Sequence, residues 1–425
     1  MNAIDDVAET AGSDAHARQP SLADRLAEDR ALRAFVGALV ADAVSMPVHW
    51  YYDQTALDRD YPALADHSAT RPENAPYLAP RHPHSGSILW RSHWTPPSPK
   101  YDILGDQARH WGQRDVHYHQ FLDAGDNTLN ARLAVELFSL LLHDGDYDPA
   151  RWLDRYIELM LTPGWNRDTY VEEYHRHFFT NLGAGRKPID CGVRDVHIGG
   201  LMAVPAIVAA LGPGHGDLRR IVRLHVSLTH KDDGVLAAAD TLVRLLVRLA
   251  GEDDAHGEPG GPADAVDDLR AALLDEASDW ISAAKVRKWE RACAAAGGSC
   301  PDRAVIGGML SPACYIPDAF PAALFLAWRY AGDVTAGVVV NALCGGDNCH
   351  RGAIVGALLA AVSPIPGRLL AGLRIGDAIA TGPIGHATRQ TTPQRGFSAA
   401  TCDTEPPAVS RAPNRWTKSN IRDAE

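Results

Sequence analysis

The chain has 425 residues, 46% of them hydrophobic, and a formal net charge of −12. That length suits one large domain with a sizeable core. The acidic balance, with no basic stripe, argues against nucleic acid and against anionic membranes.

The first segment, "MNAIDDVAETAGSDAHARQPS", is polar and acidic with no apolar core, so no secretory signal is expected. Residues 1–20 read as disordered. Ser21 then opens a helix as its N-cap, with Leu22, Leu26, Leu32 and Phe35 at helical spacing and Pro47 as its stop. Residues 51–103, rich in Pro, His and Tyr, read as a long irregular excursion, a type of loop more often functional than idle. "NTLNARLAVELFSLLLHDG" is helical and closed by Gly145. The later apolar stretches favour helix, because Ala and Leu dominate and alternating β-branched runs are scarce. "LRAALLDEASDWISAAKVRKWERACAAAG" reads as one long helical stretch, and "AGVVVNAL" is ambiguous between helix and strand. Residues 251–268, rich in Gly, Asp and Pro, read as an exposed loop. The tail from 396 to 425 reads as disordered. The expected fold is therefore all-α, a single domain over residues 21–395. No run approaches the roughly 20 apolar residues of a membrane span, so no membrane partner is expected. Seven cysteines, with no CxxC pair, suit a reducing cytoplasm, where the protein is expected to reside.

Two stretches echo one another. "AGDNTLNARLAVEL" begins at Ala124 and "GGDNCHRGAIVGALL" at Gly345, each a Gly-Asp-Asn triplet ahead of a helix. One reading is helix capping, since Asp and Asn accept from the free N–H groups of a first turn. The other is a site at the middle of a bundle, with Asp126, Asn127, Asp347, Cys349 and His350 around one cation. His49 sits among aromatics after Pro47, and His230 ends a helix, where an imidazolium suits the dipole. His117 and His119 have the spacing to point the same way on a strand. No GxSxG, HExxH or Walker-type loop is present.

These residues carry a resemblance to the ADP-ribosylglycohydrolase family. "GALVADAVSMPVHW" resembles that family's opening helix, and "GDNTLNARLAVEL" stands at its first acidic motif. "HIGGLMAVPAI", "HVSLTHKDDGVLAAA", "YIPDAFPAALFLAW" and "GGDNCHRGAIVGALLAA" match further motifs in the same order. The resemblance implies an all-α, orthogonally packed fold. It also implies a pair of divalent ions, Mg²⁺ or Mn²⁺, and hydrolysis of a glycosidic bond to ADP-ribose. At the positions of the family's metal ligands this chain has Gly125, Asp126 and Asn127, then Asp347, Cys349 and His350. His49 replaces the active-site Glu of the opening helix, and Ile198 and Ala203 replace the Asn and Arg of the Gly199–Gly200 loop. Fewer carboxylates hold two hard ions less well. Thiolate and imidazole favour a single softer ion such as Zn²⁺ or Fe²⁺, or no ion at all.

The function implied is hydrolysis of an ADP-ribosylated or related small-molecule substrate. His49, Asp126 and Asp347 are the catalytic candidates, and Gly199, Gly200, His230 and Asn348 the substrate-binding ones. Two alternatives stand beside it. One is the same scaffold turning over a different nucleoside-like or glycosylated metabolite. The other is a non-catalytic binding or structural protein.

Overall fold

The computed structural model describes residues 21–65, 76–81, 84, 87, 89–251, 262–376 and 379. The expected disordered ends, 1–20 and 396–425, lie outside the described residues, as does most of the expected loop at 251–268.

Sixteen α-helices succeed one another through the described residues. They are α1 (Leu22–Glu28), α2 (Arg30–Ser45), α3 (Gln54–Asp60), α4 (Pro62–Ala65), α5 (Leu129–Asp144), α6 (Pro149–Leu161), α7 (Glu173–Gly183) and α8 (Val204–Leu211). They continue with α9 (Leu218–Ser227), α10 (Asp233–Ala250), α11 (Pro262–Glu276), α12 (Ala283–Ala296), α13 (Ile316–Arg329), α14 (Val334–Leu343), α15 (Asn348–Val362) and α16 (Gly367–Gly372). The fold is all-α, with only isolated β-bridges among the described residues.

Local chemistry sets the boundaries. Ser21 and Asp24 form a capping box on α1, and Asp29 caps α2 through Leu32 N–H. Asp148, Asp232, Ser282 and Asp333 cap α6, α10, α12 and α14. Gly145, at φ 74°, ends α5 in the left-handed conformation. Several expectations from sequence change. The helix expected to run from Ser21 to Pro47 is split at Asp29, which closes α1 and caps α2. The short helices α3 and α4 lie inside the expected irregular excursion 51–103, and residues 262–268 of the expected loop belong to α11. The stretch taken as one helix from Leu269 is broken between Glu276 and Ala283, because Ser282 caps a new helix through Lys285 N–H. The ambiguous "AGVVVNAL" run is helical, as part of α14.

At the centre, α2 and α15 run antiparallel and closely packed, flanked by α8, α13 and α14. Small residues make this approach possible. A Cβ added at Gly356 would lie 2.1 Å from Gly37 O, and one at Gly37 would lie 2.4 Å from Gly356 O. Arg33, buried on α2, donates to the carbonyls of Ala360 and Ala361 and so satisfies the C-terminal end of α15. By length and composition Arg30–Val48 is apolar enough to cross a membrane, contrary to the expectation from sequence. The stretch is buried in the fold, as the core helix of a folded domain is.

The tightness of this pairing is measurable. Gly356→Ala destabilises the protein by about 2–3 kcal/mol through overpacking against α2. Gly214→Ala, where an added Cβ meets nothing within 4 Å, changes stability by less than about 0.5 kcal/mol. Urea unfolding of both variants checks the difference.

Candidate active site and metal centre

The mouth of α15 is shaped by Gly345 and Gly346, at φ 65° and 66°. Both need glycine for space as well as conformation. A Cβ at Gly345 would meet Tyr51 O at 2.3 Å, and one at Gly346 would meet Pro312 O at 2.1 Å. The turn is pinned by Gly346 N–H to Tyr51 O, Trp50 N–H to Gly346 O and Asp347 N–H to Pro312 O. These bonds clamp the His49–Tyr51 segment onto Asp347. Trp50 holds φ 62°, rare for a non-glycine residue, and stacks on His49 with ring centroids 4.1 Å apart.

Asp347 is the N-cap residue of α15, yet its carboxylate makes no capping bond. It meets imidazoles instead. Oδ1 lies 3.0 Å from His49 Nε2 and 2.8 Å from His350 Nδ1, and Oδ2 lies 3.3 Å from His197 Nε2. Oδ2 has no hydrogen-bond partner although it is buried. The bonding continues outward. His49 Nδ1 lies 2.7 Å from His119 Nε2, and His119 Nδ1 lies 2.8 Å from Asp168 Oδ1. Asp168 Oδ2 accepts from Leu129 N–H, at the start of α5. On the other side His350 Nε2 meets Asn130 Nδ2 at 2.8 Å, and Asn130 also donates to Glu172 Oε1.

Burial and charge oppose each other throughout this cluster. Burial would raise the Asp347 carboxyl, but the charge of His350 and the hydrogen bonds from His350 and His49 outweigh it and hold it well below the usual range. Burial would lower His350, but Asp347 holds its imidazole up at about 9. His119 is likewise raised, with burial overcome by Asp168. Burial dominates at His49, which falls to about 3, at His197, which falls to about 4, and at Glu172, which rises to about 7. It also pushes the Cys349 thiol well up, with Asp42 adding to the effect.

Three overlapping groups of ligand atoms arise, each with its atoms within 4.8 Å of one another: His49, His119 and Cys349; His49, Asp347 and His350; His197, Cys314 and Asp347. The second GDN triplet therefore brings Asp347, Cys349 and His350 together with His49.

The first triplet does not join them. The Asp126 carboxylate faces Arg167 at 3.0 Å and Arg374 at 3.3 Å, and it belongs to none of the ligand groups among the described residues. Asn127 donates to Leu39 O and to Asp42 Oδ2, so it braces α2. The cause is register. Thr128 is the N-cap of α5, so Asp126 sits two residues outside the helix, whereas Asp347 is itself an N-cap. Asn348 spends its amide on Val48 O and Ala342 O. His117 and His119 lie in an irregular segment, His119 in a turn, rather than on a strand, and His117 Nε2 is 2.9 Å from Pro47 O.

Gly199, Gly200 and His230 line a cavity of about 60 Å³ together with Tyr174, His175 and His225. A Cβ at Gly200 would lie 2.9 Å from the His230 ring. His230 Nε2 and Tyr174 Oη are buried without hydrogen-bond partners.

The residues missed from sequence are Asp42, Asn130, Asp168, Glu172, His197 and Cys314. Asp42 lies inside the opening-helix motif, and its carboxylate accepts from Asn127, Thr128 N–H and Thr128 Oγ1. His197 immediately precedes the Gly199–Gly200 loop, and Asp168 and Glu172 share one short stretch. Asp42, Asn130 and His197 carry a sequence signal, since they fall within motifs, and Cys314 directly precedes one, whereas Asp168 and Glu172 carry none.

Fold and site together define a class: an all-α protein with a buried His/Asp/Cys centre where its central helix begins. Comparison with known proteins gives the family. The ADP-ribosylglycohydrolase family model matches residues 23–394, so the chain belongs to that family. A solved structure described as an "ADP-ribosylglycohydrolase-related protein complex" is 22% identical, with a TM-score of 0.49, covering 84% of this chain and 96% of that one. No curated protein matches the sequence.

The electrostatics of burial are measurable away from the ligand groups. Burial lowers His225 to about 3, so this imidazole is neutral in the folded state. The unfolded chain takes up its proton near 6.5. Stability contributed by His225 is thus full above pH 6.5 and falls, by about 1.4 kcal/mol per pH unit, as pH drops towards 3. In His225→Gln, denaturant unfolding between pH 6.5 and 4 shows a pH slope smaller by about one proton.

Proposed function

We propose that this protein hydrolyses a glycosidic bond in an ADP-ribosylated or related substrate, using a rebuilt centre that takes one softer divalent ion. The observation that carries this reading is the convergence of His49, His197 and His350 on the buried Asp347 carboxylate, whose Oδ2 lacks a hydrogen-bond partner. Drift away from function would replace such groups with apolar packing rather than keep them buried.

A pair of hard ions does not fit this donor set. Asp126 is paired with arginines, and Asp347 is the one carboxylate in the three ligand groups of the described residues. A single Zn²⁺ or Fe²⁺ fits. His49 Nε2, Asp347 and His350 Nδ1 would hold it, with Cys349 and His197 at its margins. Such an ion supplies Lewis acidity.

The protein's own residues do the rest. His49 has both nitrogens engaged, one with Asp347 and one with His119, so it is assigned to holding the centre rather than meeting substrate. The Asp168–His119 pair orients His49, as outer partners of ligating imidazoles do. Glu172, raised to about 7 by burial, can give or take a proton near neutral pH. Gly199, Gly200 and His230 line the small space next to the centre and are assigned to the part of the substrate nearest the scissile bond.

A second reading, a smaller nucleoside-like or glycosylated metabolite, is favoured by one observation. The adjoining cavity of about 60 Å³ is well below the roughly 300 Å³ of a typical ligand pocket, so a substrate that places only a small group beside the centre suits it better than an extended ADP-ribosyl chain.

Chromatographic assay of ADP-ribosyl-arginine, ADP-ribosyl-serine and a panel of nucleosides and glycosides separates the two. Asp347→Asn lowers kcat on the accepted substrate by roughly two to four orders of magnitude while the circular dichroism is unchanged. Full activity in that variant overturns the assignment.

A further inference from the structure

The sulfurs of Cys300 and Cys344 lie 3.9 Å apart, outside every ligand group of the centre. Cys300 is the N-cap residue of the 3-10 turn Pro301–Ala304, and Cys344 closes α14. Both are buried, Cys300 at 8% exposure and Cys344 at 1%, so reagents in solvent reach Cys300 first. Arg303 spans the same seam. Its guanidinium donates to Leu343 O at 2.9 and 2.7 Å and pairs with Asp58 at 2.6 and 2.7 Å. A cation beside a thiol favours the thiolate, the reactive form.

Cys344 leads directly into the turn that builds the centre. Gly345 and Gly346 form the left-handed turn that presents Asp347. Gly345 O accepts from the buried Arg351, and Gly346 exchanges backbone bonds with Trp50 and Tyr51 beside His49. A turn with no room for a Cβ at either glycine has little slack. Displacement of Cys344 is therefore passed to Asp347 and His49.

We propose that Cys300 and Cys344 are a redox modification site. A hydroperoxide or an oxidised dithiol converts them to a disulfide that shifts the Gly345–Gly346 turn and with it the centre. With hydrogen peroxide, the Cys300 thiolate attacks one peroxide oxygen and the O–O bond breaks. This gives a sulfenic acid, and the released hydroxide takes a proton to become water. The Cys344 thiol then attacks the Cys300 sulfur, the S–S bond forms and a second water leaves. Two thiols are oxidised and one peroxide is reduced. Closing from 3.9 Å to the bond length of about 2.05 Å brings the two sulfurs roughly 2 Å nearer, and the part of that displacement taken by Cys344 moves the turn. The modification stands independently of the proposed activity; its effect on catalysis rests on that reading.

The test uses the full chain treated with a small excess of hydrogen peroxide and then quenched. The intact mass falls by two hydrogens, peptide mapping links Cys300 to Cys344, and dithiothreitol reverses both changes. Cys300→Ser and Cys344→Ser each abolish the link, and Cys293→Ser keeps it. Amide hydrogen exchange at Gly345 and Gly346 changes by roughly tenfold or more on oxidation, a readout that needs neither ion nor substrate. A link at another pair, or over-oxidation of Cys300 with no link, overturns the modification site. A Cys300–Cys344 link that leaves exchange at Gly345 and Gly346 unaltered overturns its coupling to the centre. Loss of exchange protection in a protein that hydrolyses none of the assayed glycosides supports this proposal while contradicting the proposed function.

Discussion

One buried negative charge organises this molecule. Asp347 has no exposure to solvent and stays ionised, because the charge of His350 and the hydrogen bonds from His350 and His49 outweigh the cost of its burial. A carboxylate in that position is tolerable only with cationic or donating groups on it, and three imidazoles from three separate chain segments supply them. His49 comes after α2, His197 precedes the Gly199–Gly200 turn, and His350 lies in the first turn of α15. Each imidazole is in turn fixed by a partner of its own: His119 for His49, Gly199 N–H for His197, and Asn130 for His350. A divalent ion in place of the imidazole protons would satisfy the same charge with the same donor atoms.

The surrounding fold keeps that charge in place. The close contact of Gly37 with Gly356 sets how deeply α15 sits against α2. Cys349 donates to Asp42 O, and Asn127 and Thr128 hold the Asp42 carboxylate, so the start of α5 is fastened to the same helix pair. Arg351 ties the first turn of α15 to Asn341 and Gly345. The site thus lies where irregular segments carrying His49, His119, Asp168 and His197 close over the start of α15, and the adjoining cavity is small.

Much of this was legible in the sequence. Ser21 marked the start of α1 and Gly145 the end of α5, whereas the Asp29 cap that splits the first helical run was not legible beside its helical spacing. The GGDNCH stretch announced a polar cluster at a buried helix start. What stayed hidden depended on register and on tertiary convergence. Two identical GDN triplets look equivalent on paper, yet a two-residue difference in where the helix begins sends Asp126 to Arg167 and Arg374, and Asp347 to the imidazoles. His119, Asp168 and His197 come from irregular segments without a helical or strand period, so no spacing rule brings them together. The helix taken as unbroken from Leu269 failed for a local reason, an N-cap Ser282 in its middle.

The central claim is the proposal that the buried centre at the start of α15 takes one softer ion rather than a pair of hard ones. Elemental mass spectrometry on protein purified without chelators or a metal-binding tag tests it most directly. The account predicts about one Zn or Fe per chain, lost in the His49→Gln/His350→Gln double variant while the helical circular dichroism persists. A pair of magnesium ions per chain, or the same ion content in wild type and double variant, would contradict it.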